Sequence, residues 1–440
     1  MSALRFHSTR RNSEPVGLVE AIADGLAPDG GLYVPESFPT LGPADLKNCQ
    51  TMPDVGVRLL HPFFEGGELE GALRSICEHA FGFHIPLAPT ADPQVQILEL
   101  FHGPTAAFKD VGARFLAGCL EYSKKPDDAP LTVLVATSGD TGAAVAGAFE
   151  HYPSTNVAIL YPAGMISARQ QHQLCCWPEH IRSFKVAGTF DDCQRIVKQT
   201  FVDEQTTSKL RLTSANSISI ARLLPQMVYY AASSLEYWRE TGRDAHFIIP
   251  AGNLGNSLAC IWARHIGLPI GHVALATNAN PVLPRYFEAG VWEPGETIPT
   301  LASAMDVGNP SNVERLFDLF PAAHEPESRL SARAVSDEQI RDSIVDAWRR
   351  LRIAICPHTA TAWQLRRWME DEQPGRDWIV VATAHPAKFE RIVEPLVEQS
   401  IEVPPALAEL LERPVEWQEI APTLADFRTA LLGRGTRKNR

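Results

Sequence analysis

Short apolar, β-branched runs recur along the chain, each followed by a glycine-bearing turn and a helical pattern: LTVLVAT (131–137), NVAILYP (156–162), HFIIPAG (246–252), HVALAT (272–277) and DWIVVAT (377–383). Runs so short and so uniformly apolar predict strands buried on both faces, and the helical stretches between them make the units βαβ. The predicted fold class is α/β, with open, twisted, mainly parallel sheets flanked by helices. Sheets of this kind bind ligands outside the carboxyl ends of their strands, against helix N-termini. Residues 37–92 carry mixed helical patterns without a glycine-loop motif and read as scaffold. The proline-rich PLAPTADP (86–93) closes an N-terminal lobe, 1–92, and VPPAL (403–407) begins a C-terminal helical tail, 403–440.

Composition narrows the class of function. A chain of 440 residues with 45% hydrophobic and 21% charged content supports two or three packed lobes. Its 52 acidic against 40 basic residues, a formal charge of -12, repel nucleic acid and anionic lipid, so neither is expected as a partner. Apolar stretches fall short of the roughly 20 residues that span a bilayer. The eight cysteines form no C-x-x-C pair, so no metal site and no disulfide framework is expected, and the protein reads as cytoplasmic. The N-terminal MSALRFHSTRRNS lacks the apolar core of a signal peptide, and the basic GRGTRKNR at the other end reads as a solvated tail.

Candidate chemistry gathers at the strand ends. In ELFHGPTAAFKDVGARFLAG (99–118), Lys109 falls where a Gly-Pro turn gives way to a helix. The positive end of the helix dipole disfavours an ammonium there, as an imine-forming lysine requires. A surface lysine paired with Asp110 would carry the same local pattern. The loop ATSGDTGAAVAG (136–147) offers Ser138, Gly139, Thr141 and Gly142 to an anion at a helix start. Asp140 is out of place in an anion cradle, so it caps the helix or faces a cationic or phenolic partner. PAGNLGN (250–256) makes a second cup whose Gly252 and Gly255 can adopt conformations closed to other residues; it lacks the lysine of a P-loop and the spacing of a dinucleotide fingerprint. In SANSISIARLLPQ (214–226), Asn216, Ser217 and Arg222 bring two neutral hydrogen-bonders and one planar cation suited to phosphate, although a lone arginine is more often an ion-pair partner. His358, Thr359, Thr361, Thr383 and His385 place further polar groups beside apolar strands.

Together these segments resemble the threonine synthase family of fold type II pyridoxal-phosphate enzymes. The resemblance rests on STR near the N-terminus, GLAPDGGLYVP (25–35), FHGPTAAFKD, VATSGDTG, NSISIARLLPQ, PAGNLGN, MDVGNPSN (305–312), PHTATA (357–362) and ATAHPAKF (382–389), in the family's order over most of the chain. It implies two mainly parallel sheets, with residues 93–125 and 213–402 in a large cofactor domain and 126–212 in a small one. It implies pyridoxal 5'-phosphate carried as a Schiff base on Lys109, its phosphate held by Gly252, Asn253, Leu254, Gly255 and Asn256, and its pyridine nitrogen met by Thr383. Residues 137–141 would receive the substrate carboxylate, Asn216, Ser217 and Arg222 the substrate phosphate, and Asp140 would lie near the cofactor's phenolic oxygen. The implied reaction turns O-phospho-L-homoserine and water into L-threonine and phosphate by γ-elimination and β-addition of water. The long segment before GLAPDGGLYVP resembles a subgroup that is often monomeric. Leu254 stands where many relatives have Phe, and Cys356 where many have an acidic residue. The alternatives are another fold type II lyase, such as a threonine or serine dehydratase, and a catalytically silent relative that binds the cofactor or a phosphorylated metabolite.

Overall fold

The computed structural model describes residues 3–433 apart from 126, 165 and 326–327. In chain order the strands are β1 (Phe6–Ser8), β2 (Tyr33–Pro35), β3 (Leu87–Pro89), β4 (Val95–Glu99), β5 (Leu131–Ala136), β6 (Thr155–Pro162) and β7 (Ile181–Val186). They continue with β8 (Arg211–Ser214), β9 (Ala245–Pro250), β10 (Ile270–Thr277), β11 (Leu330–Ala334), β12 (Trp378–Ala382) and β13 (Gln418–Ile420). The five apolar runs read from the sequence are all strands, β5, β6, β9, β10 and β12. Their alternate residues enter different cores, which is why they lack a polar face. In β12, Ile379 and Val381 join the central cluster while Trp378 and Val380 join a second one beneath the sheet.

Two sheets result. The larger has the order β11-β10-β9-β12-β4-β3, parallel except for the antiparallel edge strand β3. The smaller has the order β13-β7-β6-β5-β8 and is parallel throughout. The central cluster takes one face of each, through Phe247 and Ile249 of β9 and Val133 and Val135 of β5. The short pair β1 and β2 stands apart as an antiparallel ribbon in the N-terminal lobe.

The carboxyl-terminal stretch is more than helical. Between the helices Pro405–Leu411 and Leu424–Leu432 it contributes β13, which extends the small sheet alongside β7. Ile420, Phe427 and Ala430 then close the outer face of that sheet over Leu134, Phe184 and Cys193. A three-residue strand carries too little periodicity to be read from sequence; its partner creates it. Strand β8 crosses the boundary expected at 212/213, and its pairing with β5 puts it in the smaller sheet. Strand β3, from the scaffold stretch, edges the larger one.

Candidate active site

The predicted site groups follow the carboxyl ends of β4, β5, β8, β9 and β12. Lys109 opens the helix Lys109–Tyr122. The turn before it is fastened to the end of β12: the Phe108 amide donates to the Thr383 carbonyl at 2.9 Å, the His385 amide donates to the Ala106 carbonyl at 3.0 Å, and Ala107 bridges Ala384. Ala106 holds a left-handed φ of 55°, a cost on the order of 1–3 kcal/mol that the surrounding bonds must impose. Asp110 does not pair with Lys109. It accepts from the Thr105 amide at 2.9 Å and the Thr105 hydroxyl at 2.5 Å, locking the turn from inside. Burial pushes the Lys109 amine down from the ordinary lysine value; Asp140 resists, while Lys388 and Arg222 add to the fall.

Asp140 is the first residue of the helix Asp140–Phe149 and does not cap it. Its Oδ1 accepts from Lys388 Nζ at 2.8 Å and from Gln170 Nε2 at 3.1 Å. Burial by itself would raise this carboxyl, but Lys388, Lys109 and His358 outweigh burial and hold it below the usual carboxylate range. Lys388 also donates to the Thr105 carbonyl at 2.7 Å, so one buried amine joins Asp140 to the Lys109 turn. Thr137 is consumed within its own loop. Its hydroxyl accepts from the amides of Gly139 and Gly142, both at 3.0 Å, and donates to the Gly139 carbonyl at 3.1 Å. Gly139, at φ 138°, has no room for a side chain, because a Cβ would lie 2.7 Å from Gln170 Nε2. Ser138 and Thr141 remain partly exposed at the helix start.

The amides of the 252–256 loop find no acceptor among the described residues, and they run into the first turn of the twelve-residue helix Gly255–Ile266. Asn256 accepts through Oδ1 from the hydroxyls of Tyr229 at 2.5 Å and Tyr230 at 2.9 Å, which leaves its Nδ2 buried without a partner. A buried donor with nothing to meet calls for a ligand. A Cβ on Gly252 would sit 2.7 Å from Met305 Cα, and Leu254 turns the loop at a left-handed φ of 64°. Asn253 donates from Nδ2 to the Ser217 hydroxyl at 2.6 Å, tying this loop to the next.

Arg222 is 3% exposed and has no carboxylate at ion-pair distance among the described residues. It donates from Nη1 to the Ala215 carbonyl, and its Nε is buried without a partner. The guanidinium lies against the first turn of the Lys109 helix, where a Cβ on Gly112 would be 3.0 Å from Arg222 Nε. Burial lowers its pKa to about 10, so it keeps its charge at neutral pH. Asn216 and Ser217 are partly exposed on the same segment, and Thr383 is buried at the end of β12. His358 accepts from the Ala304 amide at 3.1 Å, and burial lowers it to about 4, so it is neutral. Cys356 caps the helix Pro357–Glu372 by accepting from the Thr359 amide at 3.4 Å, a task an acidic residue also performs. Lys388, Gln170, Thr105 and Asp110 escaped the sequence reading as site groups.

Residues 92–384 match the family described as pyridoxal-phosphate dependent enzyme. Flanking segments match threonine synthase N terminus (5–81) and threonine synthase, C-terminal (359–430). The chain is thus a pyridoxal-phosphate-dependent enzyme of the α/β type. Threonine synthase from Serratia marcescens is 37% identical over 432 residues, covering 98% of this chain and 99% of its own. The crystal structure of threonine synthase from Escherichia coli superposes with a TM-score of 0.88 at 35% identity, over 97% of this chain and 99% of that one. The PLP-bound threonine synthase from Brucella melitensis does so at 0.89 and 30% identity, over 98% and 99%. The chain belongs to the threonine synthase family.

Proposed function

We propose that this protein converts O-phospho-L-homoserine and water to L-threonine and phosphate in the cytoplasm, with Lys109 as the residue that would carry pyridoxal phosphate. One observation carries the choice of substrate: Arg222 is a buried cation with an unmet donor, packed against the first turn of the Lys109 helix. A dehydratase substrate has no distal anion for it. Arg222, with Asn216 and Ser217, binds the substrate phosphate and stabilises the charge that grows on it as it leaves from Cγ.

The free amides of Gly252, Asn253, Leu254, Gly255 and Asn256, with Asn256 Nδ2, would hold the cofactor phosphate, and the Thr383 hydroxyl would meet the pyridine nitrogen. When bound, the cofactor supplies an electron sink for negative charge developing at Cα and then Cβ. Ser138 and Thr141 receive the substrate carboxylate at the start of the helix Asp140–Phe149, in a loop shaped by Thr137 and Gly139. Lys109 Nζ, whose hold on a proton is weakened chiefly by burial, takes the proton from Cα and delivers protons to the neighbouring carbons. Asp140 brings its charge to the cofactor's phenolic side already matched by Lys388. The test follows phosphate release and threonine formation together, with cofactor and O-phospho-L-homoserine, beside Lys109→Ala. Equal amounts of both products, lost in the variant, are expected; 2-oxobutanoate or no turnover would sink the proposal.

A further inference from the structure

Arg315 lies outside the groups assigned above, and its surroundings are unusual. Its side chain is fully buried, and no carboxylate lies at ion-pair distance among the described residues. Its donors instead reach the start of its own helix and two distant segments: Nη1 to Asn312 Oδ1 at 2.8 Å, Nε to the Tyr33 carbonyl at 3.0 Å, and Nη2 to the Ile218 carbonyl at 2.7 Å. A buried charge without a counter-ion is expensive, and the planar fork is what lets a single side chain hold three acceptors in fixed directions. Asn312 passes the constraint onward, donating from Nδ2 to the carbonyls of Asn253 at 2.9 Å and Ser217 at 3.3 Å. The Ser311 amide donates to Asn253 Oδ1 at 2.6 Å. The cation therefore stands behind both the cofactor loop and the substrate-anion loop.

The N-terminal ribbon grips the same helix, Val313–Leu319, from outside. Thr9 donates to Glu314 at 2.7 Å, Arg10 to Glu314 at 3.1 Å and Arg11 to Asp318 at 2.8 Å. We propose that Arg315 is a positioning residue that fixes the spacing between loop 252–256 and segment 216–222, and so makes the enzyme select its substrate by length. The proposal rests on the assignment of those loops to the cofactor phosphate and the substrate phosphate. With Cα held at the cofactor, a chain one methylene shorter leaves its terminal phosphate short of Arg222.

The test measures inhibition of the holoenzyme by two phosphonates. One is the isostere of O-phospho-L-homoserine with CH2 in place of the ester oxygen, and the other is its homologue one methylene shorter. One methylene is worth about 10- to 200-fold in a fitted site, so wild type should prefer the longer compound by at least about tenfold. In Arg315→Lys, which keeps the charge but cannot span three acceptors, the preference should fall toward unity. A merely structural role would weaken both inhibitors alike and leave the ratio standing. Thr9→Val combined with Glu314→Gln loosens the outer grip, should move the ratio in the same direction, and decides the matter if Arg315→Lys fails to fold. Ratios unchanged in the variants, with wild type discriminating, would overturn the spacing role alone. Wild type that binds neither phosphonate and releases no phosphate from O-phospho-L-homoserine would overturn the functional reading and this inference with it.

Discussion

Replacing Lys388 with Met keeps its length and removes its charge from a pair in which both side chains are almost out of solvent, 0% and 3% exposed. Breaking such a pair leaves an uncompensated buried carboxylate, which costs about 3–5 kcal/mol. With an unfolding entropy of about 2.1 cal/mol/K per residue, that loss lowers the melting temperature of a chain of 440 residues by about 3–5 °C. The pH dependence is more telling than the size. In the parent protein Asp140 lies below its ordinary range because Lys388, Lys109 and His358 outweigh burial. Its contribution to stability is therefore present above the unfolded value of about 4 and lost only as pH falls through the depressed one. Without Lys388 burial gains the upper hand and the carboxyl rises. The sign then reverses, and the variant's deficit grows as pH climbs above about 4. Thermal unfolding of the holoenzyme should show a larger deficit at pH 8 than at pH 5, and Asp140→Asn added to Lys388→Met should recover most of it. A deficit under about 1 kcal/mol at pH 8, equal deficits at both pH values, or no recovery in the double variant would refute the reasoning, because a stranded carboxylate cannot behave so.

Arg222→Ala should raise KM for O-phospho-L-homoserine at least about tenfold, the loss of a charged hydrogen bond of some 1.5–3 kcal/mol, and steady-state kinetics would show it. Gly112→Ala should reproduce that defect with Lys109 intact, since its Cβ would come within 2.9 Å of the Arg222 carbonyl and 3.0 Å of its Nε. Gly252→Ala, whose Cβ would meet Met305 Cα at 2.7 Å, should weaken cofactor binding, read from absorbance titration of the apoenzyme. Asp306 is raised to about 6, chiefly by burial, against the bonds it accepts from Thr300 and Asn278 and with Asp337 adding to the rise. Its protonated form is favoured in the fold, so its stabilising effect fades as pH rises through 6. Asp306→Asn should accordingly compare better with wild type at pH 8 than at pH 5 in thermal melts.

The strands of both sheet centres were legible because burial on two faces leaves an uninterrupted apolar run, as in β5 and β12. Lys109, the 137–141 loop and the 252–256 loop stood out because they follow strand ends, where open α/β sheets bind their ligands. Asp140 was legible as an anomaly, a carboxylate in an anion cradle, but its answer lay 248 positions along the chain in Lys388. No local pattern marks a lysine in a short turn as the buried partner of a distant acid. Arg315 was hidden for the same reason: beyond the asparagine three positions before it, its acceptors are backbone carbonyls on two segments that meet it only in the fold. Thr137 illustrates the opposite limit. Its sequence position suggested a ligand contact, whereas its hydroxyl is spent on the amides of its own turn. The three-residue β13 shows how an edge strand is created by its neighbour rather than by its own periodicity.

Running the reaction in water enriched in oxygen-18 and weighing both products would test the proposed chemistry most directly. Elimination from Cγ followed by addition of water at Cβ predicts one solvent oxygen in the threonine hydroxyl and none in the phosphate. Label in the phosphate with unlabelled homoserine, or 2-oxobutanoate in place of threonine, would contradict it.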